Sequence, residues 1–348
     1  MKKTLINTLR AVGKPYRIRE NHDGSTVLVL PYGARVLGLF ATRSEENFLW
    51  THPALATAES AAELYKGKDW HNSGGDRTWL SPEADFFFPK FPKIDVYWQP
   101  RELDPGNYQV IPGGEEETLT TRAKSLLSRS KAQVEWEIAK AIGPTANPLA
   151  HERGLAQLPV EFAGYTLRTS LKLLSGSAPI GLWNLLQMPH GGDLLIPTYA
   201  KTRPKVIFGQ MGADDLQTGD RLVRYRMRSK GDHKISVRAI AVAGRIGYLH
   251  PERDGRWALI VRNVSVNPSG LYVDFPWDDL NDLGYAVQGC NVNGSFGTFG
   301  ELEYHVPAVG PGTGRTRCDD VSQVWAFRGD RSSIERAAKL LLGANTEQ

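Results

Sequence analysis

Apolar and polar residues alternate along most of this chain in short runs, and glycines and prolines cut the runs apart. A period of two is what a half-buried strand requires, because successive side chains point to opposite faces. Residues 25–30 (STVLVL), 34–40 (ARVLGLF), 134–138 (VEWEI), 165–173 (YTLRTSLKL), 222–227 (LVRYRM), 234–241 (KISVRAIA), 257–263 (WALIVRN) and 324–327 (VWAF) are the plainest cases. Many short strands separated by turn residues predict an antiparallel sandwich or barrel. Such architectures exceed about 250 residues as one domain, so a single domain over 1–348 is expected.

Helical spacing is rarer, and residues 4–12, 54–66 and 332–342 carry it. The last of these (SSIERAAKLLL) opens on Ser332, has Glu335 three residues on and stops at Gly343, the signature of a capped helix. Residues 143–159, rich in Pro, Ala and Gly, read as a surface excursion, since strand patterning of one kind continues on both sides. The expected fold is all-β, a large antiparallel β-sandwich with a few short helices.

Composition removes several function classes. The 348 residues carry 42 Lys plus Arg against 38 Asp plus Glu, a net charge of +4 spread along the chain. A nucleic-acid partner would ask for a basic block, so none is expected. Two cysteines, Cys290 and Cys318, exclude a disulfide scaffold and read as free thiols of a reducing compartment. Lys2 and Lys3 precede no apolar run of secretory length, and no stretch approaches about eighteen apolar residues; a cytoplasmic protein without membrane contact is expected. Zinc-ligand spacing, a phosphate loop and the GxSxG elbow are all missing from the sequence, and neither metal nor cofactor is expected.

Three segments depart from plain strand and turn patterning. Residues 70–83 hold His71, Asn72, Asp76 and Arg77 between Trp70 and Trp79, with Gly74 and Gly75 at the centre. Sugars want this mixture, aromatic faces for their C–H surfaces and planar polar forks for their hydroxyls. Residues 182–192 carry Trp183, Asn184 and Gln187 on a strand that runs into His190 and a glycine pair. Residues 289–294 contain Asn291, and beyond them Glu301, Glu303 and His305 alternate with Leu302, Tyr304 and Val306, so all three polar side chains share one strand face. Two neighbouring carboxylates push one pKa upward, which suits a general acid or base near neutral pH.

In order and spacing these pieces resemble the galactose mutarotase (aldose 1-epimerase) superfamily, as a side branch of it. The resemblance rests on Gly33-Ala34-Arg35-Val36-Leu37, on Asn47-Phe48-Leu49-Trp50, on Gly74-Gly75 through Pro82, on Trp183-Asn184-Leu185, on Arg245-Ile246-Gly247 and on the acidic strand at Glu301 to Glu303. It implies a sugar cleft on one face of a twisted β-sandwich, and an isomerase that opens and recloses the ring of an aldose or modified sugar. Glu303 or Glu301 would be the base. The resembling enzymes have a histidine a few residues before the aromatic-Asn-Leu triplet, where Ile180 and Gly181 stand here, so His190 or His71 would take the role of acid. Asn72, Asp76, Arg77, Trp79, Trp183, Asn184, Gln187 and Asn291 are the expected substrate-binding residues. The expected partner is a small-molecule sugar or oligosaccharide, acidic ones included. A non-catalytic carbohydrate-binding module or sugar sensor is the alternative, and a lyase or glycoside hydrolase pairing Glu83 or Asp76 with Glu303 is a third.

Overall fold

The computed structural model describes residues 1–343. Every predicted run overlaps a strand, though 234–241 runs past its strand end at Arg238 into a turn, and the strands assemble into two antiparallel sheets of nine and ten. Apolar residues from both pack into one large cluster between the layers. Five consecutive strands of the nine-stranded sheet carry the chemistry: β1 (Asp76–Ser81), β2 (Gly181–Pro189), β3 (His233–Arg238), β4 (Tyr285–Gly294) and β5 (Gly297–His305). Their spatial order is β1-β2-β5-β4-β3.

The helices lie outside the sandwich. Lys2–Ala11 and Ala58–Lys66 cover the first strands through Leu5, Leu9 and Ala61. Arg331–Leu342 packs Ile334, Ala337 and Leu341 on the ten-stranded sheet. Its cap is not Ser332, as the sequence suggests, but Asp330, which accepts from the Ser333 backbone N at 3.0 Å, while Glu335 pairs with Arg331. Gly343 ends the helix with φ of 63°, as expected. A fourth, very short helix, Glu83–Phe86, follows β1 and is invisible to periodicity.

Buried polar bridges tie the two layers together. Asp76 on β1 accepts from Tyr165 Oη at 2.6 Å and pairs with Arg262 Nη1 at 3.1 Å, all three side chains fully buried. Both partners stand on strands of the ten-stranded sheet. Removing one member of such a pair strands a charge in the core, which costs about 3–5 kcal/mol. We therefore expect Asp76→Ala to lose about that much in urea denaturation, while the double variant Asp76→Ala, Arg262→Met recovers part of it.

Candidate functional site

Strand alternation divides the polar residues of the nine-stranded sheet between its two faces. Across the sheet, Arg77 lies opposite Leu185, Leu185 opposite Glu303 and Glu303 opposite Gln288. One row further, Gln187 lies opposite Glu301, Glu301 opposite Cys290 and Cys290 opposite Lys234. These residues turn away from the second sheet, and Arg77, Leu185, Lys234, Cys290, Glu301 and Glu303 among them floor a cavity of about 210 Å³ walled by aromatic rings. Their immediate neighbours Asp76, Asn184 and Tyr304 turn inward instead.

Two ion-pair groups make up the floor. Arg77 Nη2 is 2.8 Å from Glu301 Oε1, which also accepts from Gln187 Nε2 at 3.0 Å. The Arg77 guanidinium lies 4.1 Å over the Trp79 ring. Lys234 Nζ is 3.1 Å from Glu303 Oε2 and 3.3 Å from Glu83 Oε2, and it sits 4.4 Å over the Trp183 ring. Trp183 Nε1 donates to Glu303 Oε2 at 2.8 Å, and Tyr97 Oη donates to Glu83 Oε1 at 3.1 Å. Asp274 anchors the short helix by accepting from the Glu83 backbone N at 2.8 Å, and Gln288 Nε2 holds its other oxygen at 2.8 Å. Among the described residues, Arg77 Nε and Nη1 and Glu303 Oε1 have no hydrogen-bond partner.

Burial sets the protonation of this floor. Burial pushes the Glu303 carboxyl up to about 7, Lys234 opposing and Glu301 and Glu83 adding to the rise. Burial also raises the Glu83 carboxyl, against the pull of Lys234. For Lys234 burial works against the charge, but Glu303 and Glu83 outweigh it and the ammonium is held more firmly than an ordinary lysine's. Two carboxyls on one ammonium thus titrate as a pair that retains a proton near neutrality. His305, stacked on Trp183 at 5.5 Å, is lowered to about 4 by burial and is neutral.

Of the residues singled out in the sequence, Trp70, Arg77, Trp79, Glu83, Trp183, Glu301 and Glu303 line the cavity, and Gln187 supports it through Glu301. The remaining candidates for catalysis and sugar binding are not brought there. His71 is held between Tyr32 Oη at 2.5 Å and the Gly67 carbonyl at 2.7 Å. His190 meets Asn291 at 2.9 Å, and Asn291 in turn donates to the Ser229 and Gly231 carbonyls, fixing a turn. Asn184 accepts from Thr78 between the sheets, and Asn72 is buried beside the glycine pair. Gly74 and Gly75, both at positive φ, press against the backbone of Trp50 and Val36 rather than leaving room for a ligand. Lys234 and Tyr97 carried no local signal in the sequence, and Glu83 appeared there only as one of two carboxylates considered with Glu303.

Cys290, Glu301 and Glu303 bring their ligand atoms within 4.8 Å of one another. A divalent ion there would have to displace Arg77 and Lys234, and burial followed by the two glutamates keeps the thiol protonated. A second acidic trio, Glu46, Glu252 and Asp254, is threaded by Arg256 and Arg328.

The chain matches no protein-family model and no curated protein sequence. Solved structures do resemble it. A galactose mutarotase-like protein from Lactobacillus casei is 11% identical, with a TM-score of 0.50 over 90% of this chain and 100% of that one. A galactose 1-epimerase from Lactobacillus acidophilus is 9% identical, over 90% of this chain and 94% of that one, with a TM-score of 0.43. An aldose epimerase homologue from C. elegans is 10% identical, over 91% and 99%, with a TM-score of 0.44. The first likeness establishes the architecture: the chain has the galactose mutarotase-like fold. Among the described residues no helix is long and apolar enough to cross a membrane.

The raised Glu303 pKa has a consequence for stability. An acid whose folded pKa exceeds its ordinary 4.5 stabilises the fold while protonated; that contribution is complete below about 4.5 and is lost as pH rises through about 7. Urea midpoints should therefore fall between about pH 5 and about pH 8, and Glu303→Gln should flatten that decline.

Proposed function

We propose that this protein is a carbohydrate-active isomerase of the mutarotase or epimerase type, acting on an aldose or modified sugar by general acid/base chemistry. The observation that supports the reading is the carboxyl pair Glu83 and Glu303, held on one buried ammonium at 3.3 and 3.1 Å in the floor of the cavity. Such a pair can give and take a proton at neutral pH without changing the net charge of the site.

In this scheme Glu303 Oε1 accepts the proton of the anomeric hydroxyl, while the protonated Glu83 gives its proton to the ring oxygen. The O1–H electrons form the C1–O1 double bond, the C1–O5 bond breaks, and O5 leaves as a hydroxyl. Rotation about C1–C2 and reversal of both transfers closes the other anomer. Arg77 Nε and Nη1 donate to ring hydroxyls, and the tryptophan faces hold the C–H surface. Glu301, fixed by Arg77 and Gln187, aims the guanidinium and raises the pKa of Glu303. The acid is thus a carboxyl rather than His190 or His71, neither of which lines the cavity.

A second reading is a sugar-binding module without catalysis. It is favoured by the buried Ile180 and Gly181 at the place where the resembling enzymes carry their histidine. Measured by NMR exchange spectroscopy, Glu303→Gln should keep the fold and sugar affinity and lose about a hundredfold or more in anomer exchange. Glu301→Gln should lose much less. A binding module would give no exchange above the spontaneous rate even in the wild type.

A further inference from the structure

Above the ion-paired floor the cavity wall is made of aromatic rings in an almost unbroken chain. Trp70 lies 6.2 Å from Phe296, Phe296 6.0 Å from Tyr97, and Tyr97 5.1 Å from Phe88. Phe88 lies 4.7 Å from Trp277, and Trp277 stacks on Phe208 at 5.0 Å. These rings come from five separate stretches of chain, and all but Phe88 are partly exposed, whereas the floor residues are buried. Ile94, 46% exposed, adds to the same wall. The collar therefore stands on the solvent side of the floor and presents ring faces and an aliphatic side chain where the floor presents charges. Aromatic rings left partly open to water around a concave polar floor mark a binding surface.

Charge decides what kind of group fits it. A cationic group is a common guest of aromatic cages, but here the carboxylates beneath are already matched, Glu301 by Arg77 and the Glu83 and Glu303 pair by Lys234. Asp232, which also borders the cavity, is engaged by the Asn293 backbone N at 2.8 Å. An anionic group gains equally little, because the same two cations are occupied.

We propose that the sugar taken by this site carries an uncharged apolar substituent, alkyl or aromatic, on a carbon remote from the anomeric centre, and that the aromatic collar grips it. The proposal rests on the acid/base reading of the floor, which puts C1 and the ring oxygen against Glu83 and Glu303 and turns the far side of the ring toward the collar.

Tryptophan fluorescence titration with galactose, glucose and their 4-O-benzyl and 6-O-benzyl ethers tests it. At least one benzyl ether should bind about tenfold or more tightly than its parent. Phe296→Ala at a hairpin tip and Phe208→Ala on an edge strand should each cut that ratio to about threefold or less. The proposal is overturned if no ether outbinds its parent, or if both variants leave the ratio intact. Benzyl alcohol separates this from failure of the underlying reading: binding as tight as that of the benzylated sugars would mean that the floor recognises no sugar, whereas equal binding of ethers and parents would remove the collar's role alone.

Discussion

One buried ammonium organises the candidate site. Lys234 stands between Glu83 and Glu303, 151 and 69 positions away along the chain, and all three side chains are buried. Burying such a group costs several kcal/mol per ion unless each charge meets an opposite one with good geometry. The structure meets that demand from every side: Trp183 supplies a ring face to the ammonium and an N–H to Glu303, and Asp274 pins the backbone of the helix that delivers Glu83. The carboxyls outnumber the ammonium, and burial resolves the imbalance by retaining a proton.

The second constraint is the period of the strand. Asp76 and Arg77 are neighbours in sequence with opposite duties, one bridging the sheets through Tyr165 and Arg262, the other paired with Glu301 beside the cavity. Asn184 and Trp183 divide in the same way, as do Tyr304 and Glu303. The tryptophans are steered from behind: Asp104 accepts from both Trp70 and Trp79 while it pairs with Arg35 at 2.7 Å. Rings that border the cavity are thereby fixed in orientation by a carboxylate that does not.

How much of this could be read from the chain follows from the range of each interaction. Strand alternation is local, so the β-sandwich and the common face of Glu301, Glu303 and His305 were legible in the pattern. The C-terminal helix was legible too, apart from a cap shifted from Ser332 to Asp330. Lys234 looked like any polar residue opening a strand, and its partners become visible only when β3, β5 and the Glu83 helix meet. The clusters around His71 and His190 drew notice for their density of polar side chains, but that density serves turns, through the Gly67 carbonyl and through Asn291. A local concentration of hydrogen-bonding groups has the same appearance whether it meets a ligand or its own backbone.

The central claim is that Glu83 and Glu303 keep a proton near neutral pH because burial outweighs the pull of the Lys234 ammonium they share. Carbon-13 NMR of glutamate side-chain carboxyls, followed from about pH 3 to about pH 9 and assigned with Glu83→Gln and Glu303→Gln, observes that proton directly. The account predicts a carboxyl titrating close to 7, absent in Glu303→Gln and moved upward in Lys234→Met, where the counter-charge is gone. Titration of every glutamate below about pH 5 would contradict it.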